Sequence, residues 1–183
     1  MGASQALYLA LQTLIEENDE VIVFQPFFDL YINQIKLAGG KPIPVPLTFV
    51  PYDDKNGGGE WILEQQVLEQ YVNAKTRAII LNSPHNPTGK VFTYEEMQLI
   101  ADTMTHQAHP DCTVLSDEVY KYIIHAYKSP SNNKESSKVE CIDKQCTTFV
   151  QKCEEHVYFA TLLKMHNKTI TIFLAGKTFF TTG

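Results

Sequence analysis

Arginine is almost missing from this chain. Arg77 is the single guanidinium among 183 residues, and lysine plus arginine number 15 against 21 aspartates and glutamates, for a formal charge of −6. That balance leaves no basic footprint for a phosphate backbone, so neither nucleic acid nor a membrane surface is an expected partner. Long apolar runs are missing too, and nothing reaches the roughly 20 residues that a bilayer-crossing helix needs. No basic segment followed by an apolar one opens the chain, so no secretory signal is read. The four cysteines, Cys112, Cys141, Cys146 and Cys153, show no Cys-x-x-Cys spacing. A zinc site among the last three would need His156 or a carboxylate as fourth ligand, and the expectation is reduced cytoplasmic thiols with no metal. No internal repeat is found.

What is there suits one globular domain: 44% hydrophobic and 20% charged residues. Leu7, Ala10, Leu11, Leu14 and Ile15 recur at helical spacing and predict a helix over 4–18. The short continuous run Val21–Phe24 predicts a strand covered on both faces. A helix over 28–37 is stopped by Gly39-Gly40. Residues 42–47 are extended, and their prolines suit an edge. Residues 52–60 form a polar, Gly-rich loop, and a helix follows over 63–73. Ala78–Leu81 and Thr113–Leu115 are further buried strands. Between them Thr93-Tyr94-Glu95-Glu96 is a capping box that opens a helix to about His106. The β-branched stretch Lys168–Phe173 is the last strand. Strands alternating with helices imply an α/β fold with a mainly parallel sheet flanked by helices. The polar stretch at about 127–155 breaks the rhythm and is expected to be a flexible insert, with a short extended piece at Thr148–Val150.

Three loops, each just after an apolar strand, carry chemistry. Asn82-Ser83-Pro84-His85-Asn86-Pro87-Thr88-Gly89 offers amides on a loop stiffened by prolines, the second of which suits a cis bond. Ser116-Asp117-Glu118-Val119-Tyr120 offers a carboxylate at the carboxyl end of a strand, where parallel α/β sheets bind ligands. Leu174-Ala175-Gly176-Lys177-Thr178-Phe179 offers an amine. An amine that can form a Schiff base, a carboxylate that can hold a pyridinium proton and an amide that can bond a ring hydroxyl are what pyridoxal phosphate chemistry needs. Each has a plainer alternative. Lys177 fits a surface turn, Asp117 a helix N-cap, and Asn86 a turn of the kind its neighbours favour. A nucleotide-binding loop around Gly176-Lys177-Thr178 would need glycine at position 171, where Thr171 stands inside a strand.

These runs, with Gly2-Ala3-Ser4-Gln5-Ala6-Leu7, Gln25-Pro26-Phe27-Phe28-Asp29-Leu30-Tyr31 and Ala38-Gly39-Gly40, resemble the class I/II aminotransferases of the fold type I pyridoxal phosphate enzymes. The branch they are most similar to is that of kynurenine and glutamine aminotransferases, which are also cysteine-conjugate β-lyases. Single pieces are unspecific, but six in this order are not. The resemblance implies a homodimeric enzyme that passes an amino group between an aromatic, kynurenine or glutamine-type amino acid and a 2-oxo acid. Lys177 would be the catalytic amine. Asp117 would meet the pyridine nitrogen. Asn86 would meet the ring hydroxyl and the substrate carboxylate, with Asn82 as a neighbouring candidate and Tyr120 on the same hydroxyl. Val119 and Phe28, favoured by position over Phe27, would pack on the two ring faces. Ala3, Ser4 and Gln5, at the amide-rich start of the first helix, would hold the phosphate. Leu174 departs from the family, whose members often carry a phosphate-bonding serine there.

The resemblance also implies that residues 1–183 are part of the large cofactor-binding domain, with the small domain absent. The chain then reads as a central fragment of a cytoplasmic enzyme, with a mitochondrial address left open. No arginine remains to clamp a substrate carboxylate. In the family that residue comes from the C-terminal small domain. A truncated, non-catalytic product of the same lineage is therefore the alternative expectation.

Overall fold

The apolar runs Val21–Phe24 and Ala78–Leu81 are buried along their whole length, which requires layers on both faces of one sheet. In the computed structural model, which describes residues 2–52, 58–123 and 156–176, those layers are helices. The elements run α1 (Ala3–Leu14), β1 (Glu20–Gln25), α2 (Leu30–Leu37), β2 (Lys41–Pro46), β3 (Thr48–Pro51), β4 (Gly59–Ile62), α3 (Gln65–Tyr71), β5 (Thr76–Asn82), α4 (Tyr94–Gln107), β6 (Thr113–Asp117) and β7 (Thr169–Ile172). Five strands form one parallel sheet in the order β2-β1-β5-β6-β7. The proline-bearing β2 lies at its edge, as expected. The stretch 127–155, with Cys141, Cys146, Cys153 and the extended piece expected at Thr148–Val150, lies outside the described residues, as does Lys177. No described helix is long and apolar enough to cross a membrane.

The period of two along each strand divides the core. Ile22, Phe24, Ile79, Leu81 and Val114 point to a face covered by α3 and α4 through Leu68, Met97, Ile100 and Met104, and by Phe92 from the segment just before α4. Val21, Val23, Ala78, Ile80 and Leu115 point to the opposite face, covered by α1 and α2 through Leu7, Leu11, Tyr31 and Ile35.

Several boundaries differ from the sequence expectation, for local reasons. α1 stops at Leu14, because Ile15 turns extended and tucks its side chain into the core. α2 begins at Leu30, so Phe27 and Phe28 precede it, with the Phe28 carbonyl accepting from the Tyr31 amide at 3.1 Å. Its end is as expected: Gly39, at φ 85°, and Gly40 donate back to the Lys36 and Ile35 carbonyls. α3 is shorter than 63–73, because the backbone is extended at Glu64 and again at Val72; the Leu63 amide before it donates to the Glu96 carboxylate at 2.9 Å. Part of the expected loop over 52–60 is strand instead. β3 and β4 form an antiparallel hairpin in which Phe49 faces Trp61, their ring centroids 5.2 Å apart. The capping box at Thr93 and Glu96 is present. So is the cis bond before Pro87, joined by cis bonds before Pro26 and Pro84.

Candidate functional site

β5 and β6 lie side by side in parallel and end in register, Asn82 beside Asp117. Both continue the alternation that points Ile80 and Leu115 towards α1 and α2, so both side chains emerge on that face. Asn82 is 2% exposed and Asp117 8%. The Asn82 amide is committed to the backbone. Its nitrogen donates to the Asp117 carbonyl at 2.9 Å, and its oxygen accepts from the Asn86 amide N–H at 2.7 Å. Asn82 therefore ties the two strand ends together and aims the loop that follows. Asn86 is the residue so aimed, and no described residue bonds its side-chain amide.

The loop is braced from behind. His85 sits under it, its Nδ1 2.8 Å from Thr88 Oγ1 and its ring edge-on to Phe92. Burial, with the Lys90 cation as a smaller contributor, pushes the imidazole down to about 4. Gly89 closes the turn at φ 72°, a backbone conformation that L side chains rarely adopt. Lys90 places its ammonium 2.7 Å from both the Trp61 carbonyl and Glu96 Oε1. Glu96 thereby joins the hairpin exit, the start of α4 and the site loop.

Among the described residues, Asp117 is the one carboxylate of the cleft. Burial raises its pKa, and hydrogen bonds from Tyr31 and from the Val119 backbone act against that rise. Tyr31 donates its hydroxyl to Asp117 Oδ2 at 2.6 Å, while the Val119 amide reaches Oδ1 only at 3.4 Å. Among the described residues Asp117 caps no α-helix: the chain passes instead into a short 3-10 turn at Lys121–Ile123.

These groups open into a cleft of about 420 Å³. Of the residues proposed from sequence, Ala3, Ser4, Phe28, Asn82, Asn86, Asp117, Val119 and Tyr120 all line it. Phe28 is the lining phenylalanine, and Phe27 packs on the core beneath α1 and α2. Leu174 lines the cleft as well. Gln5 does not: its side chain is exposed and its amide already donates to the Gly2 carbonyl at 3.0 Å. α1 has Gly2 as N-cap with no side-chain cap, so the amides of Ala3 and Ser4 remain at its open end. Tyr31 was not among the sequence candidates. Its signal was the Phe28-x-x-Tyr31 spacing, one helical turn, which aligns a hydroxyl with the ring that faces the cleft. Arg77 lies at the far end of β5, bonded to the α1 end at Leu14, to His109 and to Asp111, away from this site.

The cleft's donor set fits pyridoxal phosphate. It has a buried carboxylate for a ring N–H, an uncommitted amide for a ring oxygen and a helix start for a phosphate. Phe28 and Val119 supply apolar walls, and the volume lies in the range of small-molecule sites.

A family model described as aminotransferase class I and II matches residues 1–159. Kynurenine–oxoglutarate transaminase 3 of Bos taurus is 41% identical over 184 aligned positions, covering 100% of this chain and 34% of the relative. Kynurenine–oxoglutarate transaminase of Dictyostelium discoideum is 40% identical, covering 100% of this chain and 37% of the relative. The solved aromatic aminotransferase of Pyrococcus horikoshii superposes with a TM-score of 0.72 at 34% identity, covering 100% of this chain and 39% of the other. The chain spans about a third of the length of the curated relatives it matches.

Proposed function

The chain belongs to the class I and II aminotransferase family, and from that premise we propose that its cleft binds pyridoxal phosphate and serves transamination between an amino acid and a 2-oxo acid. The observation that carries this reading is the register pair Asn82 and Asp117, which sets an acid and an aimed amide at the rim of one parallel sheet. When bound, pyridoxal phosphate supplies an aldehyde to take up the amino group and a ring that draws electrons from the substrate α-carbon. Asp117 would hold the ring nitrogen protonated, and Asn86 would orient the ring oxygen and then the substrate carboxylate. Tyr120 would share that ring oxygen. Val119 and Phe28 would keep water off the two ring faces, and the open amides of Ala3 and Ser4 would receive the phosphate. Lys177 would bond the aldehyde and carry a proton to and from the substrate α-carbon.

The relatives' names support an aromatic, kynurenine-type donor and oxoglutarate as acceptor. Family membership is the support for a homodimer, for residues 1–183 as part of the large domain and for a cytoplasmic location.

The test is an absorbance scan with added pyridoxal phosphate, before and after borohydride. A cofactor band that borohydride fixes to the protein, and that Lys177→Ala abolishes, is the expected result. An adduct that persists in Lys177→Ala refutes the assignment of the amine.

A further inference from the structure

Tyr31 is 3% exposed and belongs to the core beneath α1 and α2, where a phenylalanine would fill the same space. Its hydroxyl nevertheless reaches a carboxylate 86 residues away in sequence. We infer that Tyr31 is a positioning residue of this cleft: by donating to Asp117 Oδ2 it fixes the carboxylate's orientation and leaves Oδ1 as the acceptor for a ligand's ring N–H. The ring N–H in question rests on the reading of the cleft as a pyridoxal phosphate site.

Three observations support the inference. The 2.6 Å separation is that of a charge-assisted O–H···O bond, roughly twice as strong as a neutral one. Among the described residues the opposite oxygen has only the long 3.4 Å contact from the Val119 amide, so it keeps acceptor capacity. The third concerns charge. A carboxylate this buried is driven to take up a proton, and a protonated Asp117 would lose its attraction for a pyridinium. The Tyr31 bond acts against that uptake. The phenol cannot instead give its proton away, because its own pKa is raised, first by burial and then by the Asp117 charge. Among the described residues, the titratable groups beside the pair are Glu118 and Tyr120, both in the segment that carries Asp117. Phe28 stands one turn before Tyr31 with its ring edge-on at 5.7 Å, so the entry to α2 orients both the apolar wall and the carboxylate's clamp.

The test uses the full 183-residue chain and two substitutions. Tyr31→Phe removes the hydroxyl and keeps the ring. Phe28→Leu removes the neighbouring ring and keeps the hydroxyl. The Asp117 carboxyl carbon is followed by 13C NMR against pH without cofactor, its signal assigned by its loss in Asp117→Asn. The Asp117 midpoint is expected to rise by about one pH unit in Tyr31→Phe, the size of effect one such bond has, and to stay in place in Phe28→Leu. Pyridoxal phosphate should also bind about tenfold more weakly to Tyr31→Phe, the counterpart of one pH unit. An unmoved midpoint in Tyr31→Phe overturns the inference, as does an equal shift in Phe28→Leu, which would mark a packing effect. A wild-type chain that binds no cofactor while the midpoint still moves leaves the Tyr31 clamp standing and removes the cofactor reading.

Discussion

The two faces of the sheet are built differently. Among the described residues, the face under α3 and α4 gathers nineteen buried side chains, and the face under α1 and α2 gathers eleven. The cleft opens on the thinner face. The loop from Asn82 to Gly89 belongs to both. Ser83 Oγ accepts from the Phe92 amide and His85 leans on the Phe92 ring, towards the thick face, while Asn82 and Asn86 turn to the cleft. One side of the molecule therefore supplies rigidity and the other supplies room. A ligand site needs its groups held by packing that the ligand does not touch, and here that packing lies across the sheet.

The largest expected effect tests this division directly. Phe92 is fully buried, 5.3 Å from Phe24 between ring centroids, on the thick face. Phe92→Ala should cost about 4 kcal/mol of unfolding free energy, the transfer loss plus the cavity left behind. Leu7→Ala, on the thin face beside the cleft, should cost about 2.5 kcal/mol, because its site opens to solvent and leaves less trapped void. Urea unfolding of both variants measures the difference, and equal costs would mean that the faces carry equal weight.

Next in size is the brace. Lys90 Nζ and Glu96 Oε1 lie 2.7 Å apart, their side chains 4% and 13% exposed. Glu96→Gln keeps the shape and removes the charge, so it strands a buried ammonium. It should destabilise the chain by about 3 kcal/mol. Lys90→Met with Glu96→Gln removes both charges and should recover part of that loss. A double variant less stable than Glu96→Gln alone would show that hydrogen bonds, rather than charge balance, hold this corner.

How much of this was legible in sequence follows the same division. The strands of the main sheet, their mainly parallel sense and the capping box were readable, because buried strands and helix starts follow local rules that Val21–Phe24, Ala78–Leu81 and Thr93–Glu96 obey. The residues of the cleft were readable as loop ends after strands. The commitments among them were not. Nothing in Asn82 or Asn86 alone says which amide is spent on backbone and which faces the cleft; the pairing of Asn82 with Asp117 across two strands decides that. Tyr31 was missed for the same reason, since its partner is far along the chain. The β3–β4 hairpin was missed because Gly57-Gly58-Gly59 reads as loop, although Gly59 pairs with Pro51.

His85 makes the brace sensitive to pH. Its pKa falls from 6.5 to about 4 in the folded chain, chiefly because the ring is buried. The unfolded chain therefore binds more protons between those values, and stability must rise with pH across that window. The contribution is fully present above about 6.5 and lost as pH drops towards 4. It amounts to roughly 3.5 kcal/mol, since the fall from 6.5 to about 4 is 2.5 pKa units and each is worth about 1.4 kcal/mol. His85→Gln should lose some stability at pH 7 and flatten the slope between pH 6.5 and 4. An unchanged slope, read from thermal melts across pH, would place the acid sensitivity in other groups.

The smallest expected effect lies on the cleft side and isolates the amide the brace serves. Asn86 makes no side-chain bond to any described residue, so Asn86→Ala should leave unfolding free energy within about 0.5 kcal/mol of wild type. Pyridoxal phosphate binding should nevertheless weaken by about 1 kcal/mol, the net value of one hydrogen bond, or about fivefold in Kd. Asn82→Ala should do the reverse: a measurable loss of stability, because it leaves the Asn86 N–H without its partner and the Asp117 carbonyl with only the 3.3 Å bond from the Ser83 amide, and a loss of affinity only through the displaced loop. Paired melting curves and binding isotherms separate the two. If Asn86→Ala cost stability while affinity held, the uncommitted amide would be part of the scaffold and Asn82 would have to be reconsidered as the group that meets the ligand.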